Sequence, residues 1–165
     1  MKYMTSLILA IIIIFSLPID NVSAENGSVS ITIPKFDIMI NDRKIDSKNM
    51  QYPLIVYNDI TYFPLTWGWC GELGLASGYS EKDGLYINNY ISKWQENSDT
   101  GSYQALGSKH KAVIPTYPVI INGRQIDNSK EQFPLLNFRN ITYFPLTWRF
   151  VVNVFGWDES LDNIS

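Results

Sequence analysis

A hexapeptide written twice constrains this chain more than any other feature: Tyr62-Phe63-Pro64-Leu65-Thr66-Trp67 recurs as Tyr143-Phe144-Pro145-Leu146-Thr147-Trp148. The offset is 81 residues and holds upstream without a gap. Ile40-Asn41 matches Ile121-Asn122, Ile45-Asp46 matches Ile126-Asp127, and Gln51, Pro53 and Leu54 match Gln132, Pro134 and Leu135. Between 38–67 and 119–148, 16 of 30 aligned positions are identical. This is a duplication, and a duplicated chain is expected to fold as two copies of one supersecondary unit.

Each copy has the same punctuation. Ile38-Met39-Ile40 and Arg43-Lys44-Ile45 flank Asn41-Asp42; the second copy has Asn122-Gly123 there, a pair suited to the positive φ angles of a tight hairpin. A second hairpin is expected from Leu54–Tyr57 and Ile60–Phe63 around Asn58-Asp59, and from Leu135–Phe138 and Ile141–Phe144 around Arg139-Asn140. Pro64 and Pro145 then suit a helix start. Leu65, Trp69 and Leu73 form one apolar stripe at helical spacing, repeated as Leu146, Phe150 and Val154. Gly74 and Gly156 are placed to end those helices. In copy one, Leu75–Ser80 and Leu85–Ile87 add a third pair of strands, whereas only seven residues follow Trp157-Asp158 in copy two. The fold class expected is therefore α+β. It comprises two tandem antiparallel sheets of about five strands, each curled around one α-helix, with the second copy truncated.

The first 24 residues read as an export signal. Lys2 precedes an apolar run from Leu7 to Leu17, and Val22-Ser23-Ala24 offers a cleavage site before Glu25. This run of eleven residues, interrupted only by Ser16, is about half the ~20 needed to span a bilayer, so cleavage is expected in preference to a retained signal anchor and the membrane is met only through a transient signal peptide. The domains expected are 1–24 signal peptide, 25–90 repeat one, 91–112 polar linker and 113–165 an incomplete repeat two. Secretion, or the outer face of the cell envelope, follows.

Composition narrows function by exclusion. Net charge is −3, and the longest basic cluster is Lys109-His110-Lys111, so nucleic acid is not an expected partner. One cysteine, Cys70, precludes an intramolecular disulfide and leaves an intermolecular one open. One histidine, His110, cannot build an imidazole-rich metal site.

The quoted motifs resemble the copper amine oxidase N-terminal domain-like module, a "stalk" repeat of secreted and cell-envelope bacterial proteins. The matching residues are Ile40-Asn41-Asp42-Arg43-Lys44-Ile45, Gln51-Tyr52-Pro53 and Thr61–Leu65 running into Glu72-Leu73-Gly74. Copy two offers Ile121–Ile126, Phe133-Pro134 and Tyr143–Leu146 running into Phe155–Asp158. Thr66 and Thr147 stand where the family usually has arginine. The resemblance implies a twisted antiparallel sheet around one helix, and it does not imply copper, which belongs to a separate catalytic domain.

Candidate chemistry is sparse. Cys70 and His110 are a nominal thiol–imidazole pair, but Cys70 aligns with Val151, a packing residue. Asp46 and Asp127 are equivalent carboxylates at strand ends, where capping is their expected role. Trp67 and Trp148, with Tyr62 and Tyr143, are the candidate ligand-binding residues, since flat rings with polar edges are suited to sugar or protein surfaces; the alternative role of the two tryptophans is to cover the open end of the sheet. Tyr62 and Tyr143 alternate with Phe63 and Phe144 and so face the other side of the sheet, as an exposed patch or as the contact between the copies. The function expected is a non-enzymatic binding or structural module without cofactor, recognising cell-wall polymer or a secreted protein. Alternatives are a spacer, an inhibitor of a secreted enzyme, or a carboxylate-dependent hydrolase. Self-association through the incomplete second repeat is also expected as a possibility of the fold.

Overall fold

The computed structural model describes residues 27–40, 43–90, 100–147 and 149–155. The signal segment, Trp148 and residues 156–165 lie outside the described residues.

The first five strands of repeat one have equivalents in repeat two. Repeat one contains β1 (Ser28–Thr32), β2 (Ile38–Ile40), β3 (Arg43–Ile45), β4 (Ile55–Tyr57), β5 (Ile60–Pro64), α1 (Trp67–Leu73), β6 (Leu75–Ser80) and β7 (Gly84–Asn89). Repeat two contains β8 (Lys109–Val113), β9 (Val119–Ile121), β10 (Arg124–Ile126), β11 (Leu136–Phe138) and β12 (Ile141–Pro145). The hairpin turns form as the sequence suggests. Asn58 and Asp59 have φ of 48° and 62°, and Arg139 and Asn140 have 54° and 63°, values that join tightly twisted strands. Asp46 and Asp127 each cap a short 3₁₀ turn by accepting from the backbone N–H two residues on, at 3.2 Å in both copies.

The assembly of these elements overturns the expected fold class. The chain does not build two tandem sheets, each around its own helix. Strands of both repeats close one six-stranded barrel in the order β1-β4-β5-β12-β11-β8. Two antiparallel seams join the repeats: β5 to β12 with Phe63 opposite Phe144, and β1 to β8 with Ser30 opposite Lys111. Each central pair is separated by the repeat offset, so an approximate two-fold axis passes through both seams. Leu65 N–H donates to the Thr142 carbonyl at 2.8 Å, and its equivalent Leu146 to Thr61 at 2.9 Å. The physical reason is edge closure. A lone hairpin leaves unpaired peptide groups on both sides, and pairing each repeat's edges with the other's satisfies them.

Residues 109–112, at the end of the segment read as linker, belong to β8. The identities Ile33-Pro34 and Ile114-Pro115 extend the duplication upstream to include it. Gln104, just before, ties the copies together: its amide N–H donates to the Met50 carbonyl at 2.8 Å, and its carbonyl oxygen accepts from Arg139 at 2.9 Å.

Alternation along β5 and β12 then feeds two cores. Tyr62 and Tyr143 point into the barrel with Ile31, Ile55 and Leu136. Phe63 and Phe144 point the other way, into a core with Trp69, Leu54, Leu135 and Phe150. The second core is roofed by α1 and by a four-stranded sheet in the order β10-β9-β7-β6, in which repeat one's β7 lies parallel on repeat two's β9. Gly84, at φ +83°, permits that approach; a Cβ there would lie 2.2 Å from the Pro118 carbonyl oxygen.

The helices differ from expectation in detail. Pro64 is the last residue of β5, and Thr66 caps α1 by accepting from Trp69 N–H at 3.4 Å. Gly74 closes α1 in the left-handed region, at φ 67°, as expected. In repeat two, Arg149–Val154 forms a wider π turn, with Phe155 N–H reaching the Phe150 carbonyl five residues back at 3.0 Å.

Because both cores use both repeats, unfolding should be one transition. Phe144→Ala is expected to cost about 4 kcal/mol and to lower a single midpoint in urea. A biphasic curve leaving repeat one unaffected would contradict the shared core.

Candidate functional site

The structure separates the four aromatic site candidates. Trp67 opens α1 and is 84% exposed. Trp69, two residues on, is buried beneath the same helix. The Thr66 cap fixes this split, since it sets where the helix starts and so which ring faces out. Tyr62 and Tyr143 are fully buried in the barrel, so they serve as the contact between the copies and present no ligand surface. Burial, with Tyr57 nearby, pushes the Tyr62 phenol well above its ordinary value. Trp148 lies outside the described residues.

The nominal reactive groups are placed for packing and capping. Cys70 is buried with its sulfur 3.1 Å from Ser77 Oγ, and burial pushes its thiol up. His110 sits in β8, with Nε2 2.8 Å from Ser108 Oγ and its ring against Phe138. Burial and the Arg139 charge lower its pKa. Cys70 packs in the Phe63 core, whereas His110 lies against barrel strand β11, so the thiol–imidazole pair is not assembled. Asp127 binds Ser129 and Lys130, which hold its carboxyl below the usual range. Among the described residues, no three His, Cys, Asp or Glu side chains cluster to hold a metal, and no helix is long and apolar enough to cross a membrane.

Two features escaped the sequence reading. The first is a part-buried ion pair: Arg43 Nη2 lies 2.5 and 2.6 Å from the two Glu72 carboxylate oxygens, and the Glu72 side chain is fully buried while that of Arg43 reaches solvent. It binds the β2–β3 hairpin to α1. Asn153 replaces Glu72 at the equivalent position, and repeat two pairs Arg149 with Glu131 instead. The second is an open cleft of 860 Å³ beside the strap that joins β8 to β9, walled by Pro115, Thr116, Tyr117, Gln125, Asp127 and Ser129. Tyr117 is fixed there by a 2.7 Å hydrogen bond between its hydroxyl and that of Thr142, and by an edge contact with Tyr79 at 5.2 Å. The cleft presents a mix of amide, hydroxyl and ring surfaces. The strap is a loop between the first two strands of repeat two, where alternation carries no signal.

No family model, curated protein or solved structure matches this chain.

Cys70 gives a direct check of burial. The folded thiol should resist alkylation near neutral pH and react fully in denaturant. Because the unfolded thiol ionises at its ordinary value of 9.0 and the folded one holds its proton higher, stability should fall as pH rises above about 9. Rapid labelling of the native protein would contradict this placement.

Proposed function

We propose that the chain is an exported, non-enzymatic binding module of the cell envelope whose ligand is a cell-wall polymer engaged through Trp67. The observation that carries this reading is the exposure of the Trp67 ring, 84%, on a helix whose other tryptophan is buried. Leaving so large an apolar side chain in water forgoes about 2 kcal/mol of burial. Stacking against a sugar ring recovers that surface while the indole N–H finds a hydroxyl. Support for export comes from the segment ending at Ala24, and support for a non-enzymatic role from Cys70, His110, Asp46 and Asp127, each engaged in packing or capping. The resemblance of the repeats to the stalk modules of envelope proteins points the same way. The cleft beside Tyr117 offers further polar surface for a chain-like ligand.

A chain beginning at Glu25 keeps every described element and suits the test. It should sediment with purified bacterial cell walls, and Trp67→Ala should weaken binding about tenfold, the equivalent of ~1.4 kcal/mol. An exposed ring can be removed without unfolding the protein, which circular dichroism would verify. Failure of the unmutated protein to sediment, or an unaffected variant, would overturn the wall-polymer reading in favour of a spacer or an enzyme inhibitor.

A further inference from the structure

The duplication gives the molecule two equivalent hairpins, β2–β3 and β9–β10, but only β9 has a neighbour on its outer side among the described residues. That neighbour is β7, which sets Leu85, Tyr86 and Ile87 opposite Val119, Ile120 and Ile121. Leu85 N–H donates to the Pro118 carbonyl and Asn122 N–H to the Ile87 carbonyl, each at 2.9 Å. Positions 118, 120 and 122 therefore turn their peptide groups towards β7. Met39 occupies the position of Ile120, so the same alternation turns its N–H and C=O to the open side of β2.

Burial records the difference. Val119 is fully buried and Ile121 is 3% exposed, whereas their equivalents Ile38 and Ile40 are only half-buried. Met39 is 58% exposed and nearby Phe36 59%. The other outer strands are blunted in ways that discourage pairing. β3 carries Arg43 and Lys44, β10 carries Arg124 and Gln125, and β6 carries Ser77, Gly78 and Ser80. β2 is wholly apolar, Ile38-Met39-Ile40, with no charge or proline.

We propose that β2 is a self-association edge, and that its occupant is β2 of a second copy of this chain, paired antiparallel about a two-fold axis at Met39. The choice of occupant rests on self-complementarity. A two-fold interface must match its own surface, and Ile-Met-Ile is a palindrome. Met39 then faces Met39 of the second copy as a hydrogen-bonded pair, with Ile38 opposite Ile40 on both sides. The product is a four-stranded sheet, β3-β2-β2-β3, with the same number of strands as the sheet built on β9. Strands this short bury less than the ~1,200 Å² of a stable interface, so the dissociation constant should be on the order of 100 µM.

Sedimentation equilibrium of the exported protein, from about 10 µM to 1 mM, tests this. A monomer–dimer equilibrium is expected. Met39→Lys should weaken it at least tenfold, while Tyr103→Lys, the same change at another exposed site, should leave it intact. Met39→Cys should give covalent dimers with a short bis-maleimide and Tyr103→Cys should not, since Cys70 is buried. Both positions are exposed, so circular dichroism should show every variant folded. A monomer throughout, or a dimer indifferent to Met39→Lys, would overturn the proposal. So would a monomer whose Met39 amide is protected from exchange, which would assign the edge to another part of the same chain.

Discussion

Phe63 meets Phe144 across the β5–β12 seam with ring centroids 5.5 Å apart, and the architecture is organised about that contact. The two residues are equivalents, so the seam is the place where the duplicated unit meets its own image. Antiparallel pairing there sets the two-fold axis, which the β1–β8 seam repeats on the opposite side of the barrel. Phe144 extends the contact to Phe150 at 4.8 Å and Phe155 at 5.3 Å, tying the helical end of repeat two into the same core. A unit of 50 to 60 residues buries too little surface to be comfortably stable alone. Two such units that share both cores escape that limit.

Local structure was legible in the sequence because it depends on local chemistry. Asn58-Asp59 and Asn122-Gly123 announced their turns, Gly74 announced the end of α1, and alternation placed Tyr62 and Phe63 on opposite faces. What alternation does not say is what covers each face. Tyr62 and Tyr143 suited an exposed patch as well as they suited a contact between copies, and only closure of the barrel places them inside. Crossed pairing was illegible for the same reason. Nothing within β7 or β9 says that a strand of one repeat lies on the other, because parallel pairing needs no shared turn. β8 was hidden by composition: Lys109-His110-Lys111 reads as linker, yet both lysines stay exposed while Ala112 is buried and the His110 ring lies against Phe138.

The copies have diverged where the pseudo-symmetry no longer constrains them. Arg43 and Glu72 anchor one hairpin through a part-buried pair, and Arg149 with Glu131 serves the other repeat. The α-helical turn of repeat one becomes a π turn in repeat two. Such changes leave the seams intact and alter the periphery, which is where Trp67, the cleft beside Tyr117 and the apolar β2 edge are found. Of the four aromatic residues marked in the sequence, Trp67 faces water and Tyr62 and Tyr143 hold the copies together. One repeated motif therefore serves both folding and surface chemistry.

Native-state hydrogen exchange across the two seams tests the shared barrel most directly. The amides of β1, β5, β8 and β12 that hydrogen-bond across the seams should open with one common free energy, equal to that of global unfolding. Denaturant should lower them in parallel. Markedly faster exchange throughout β8, β11 and β12 than in β1, β4 and β5 would show the repeats folding as separate units, and would contradict a barrel built from both.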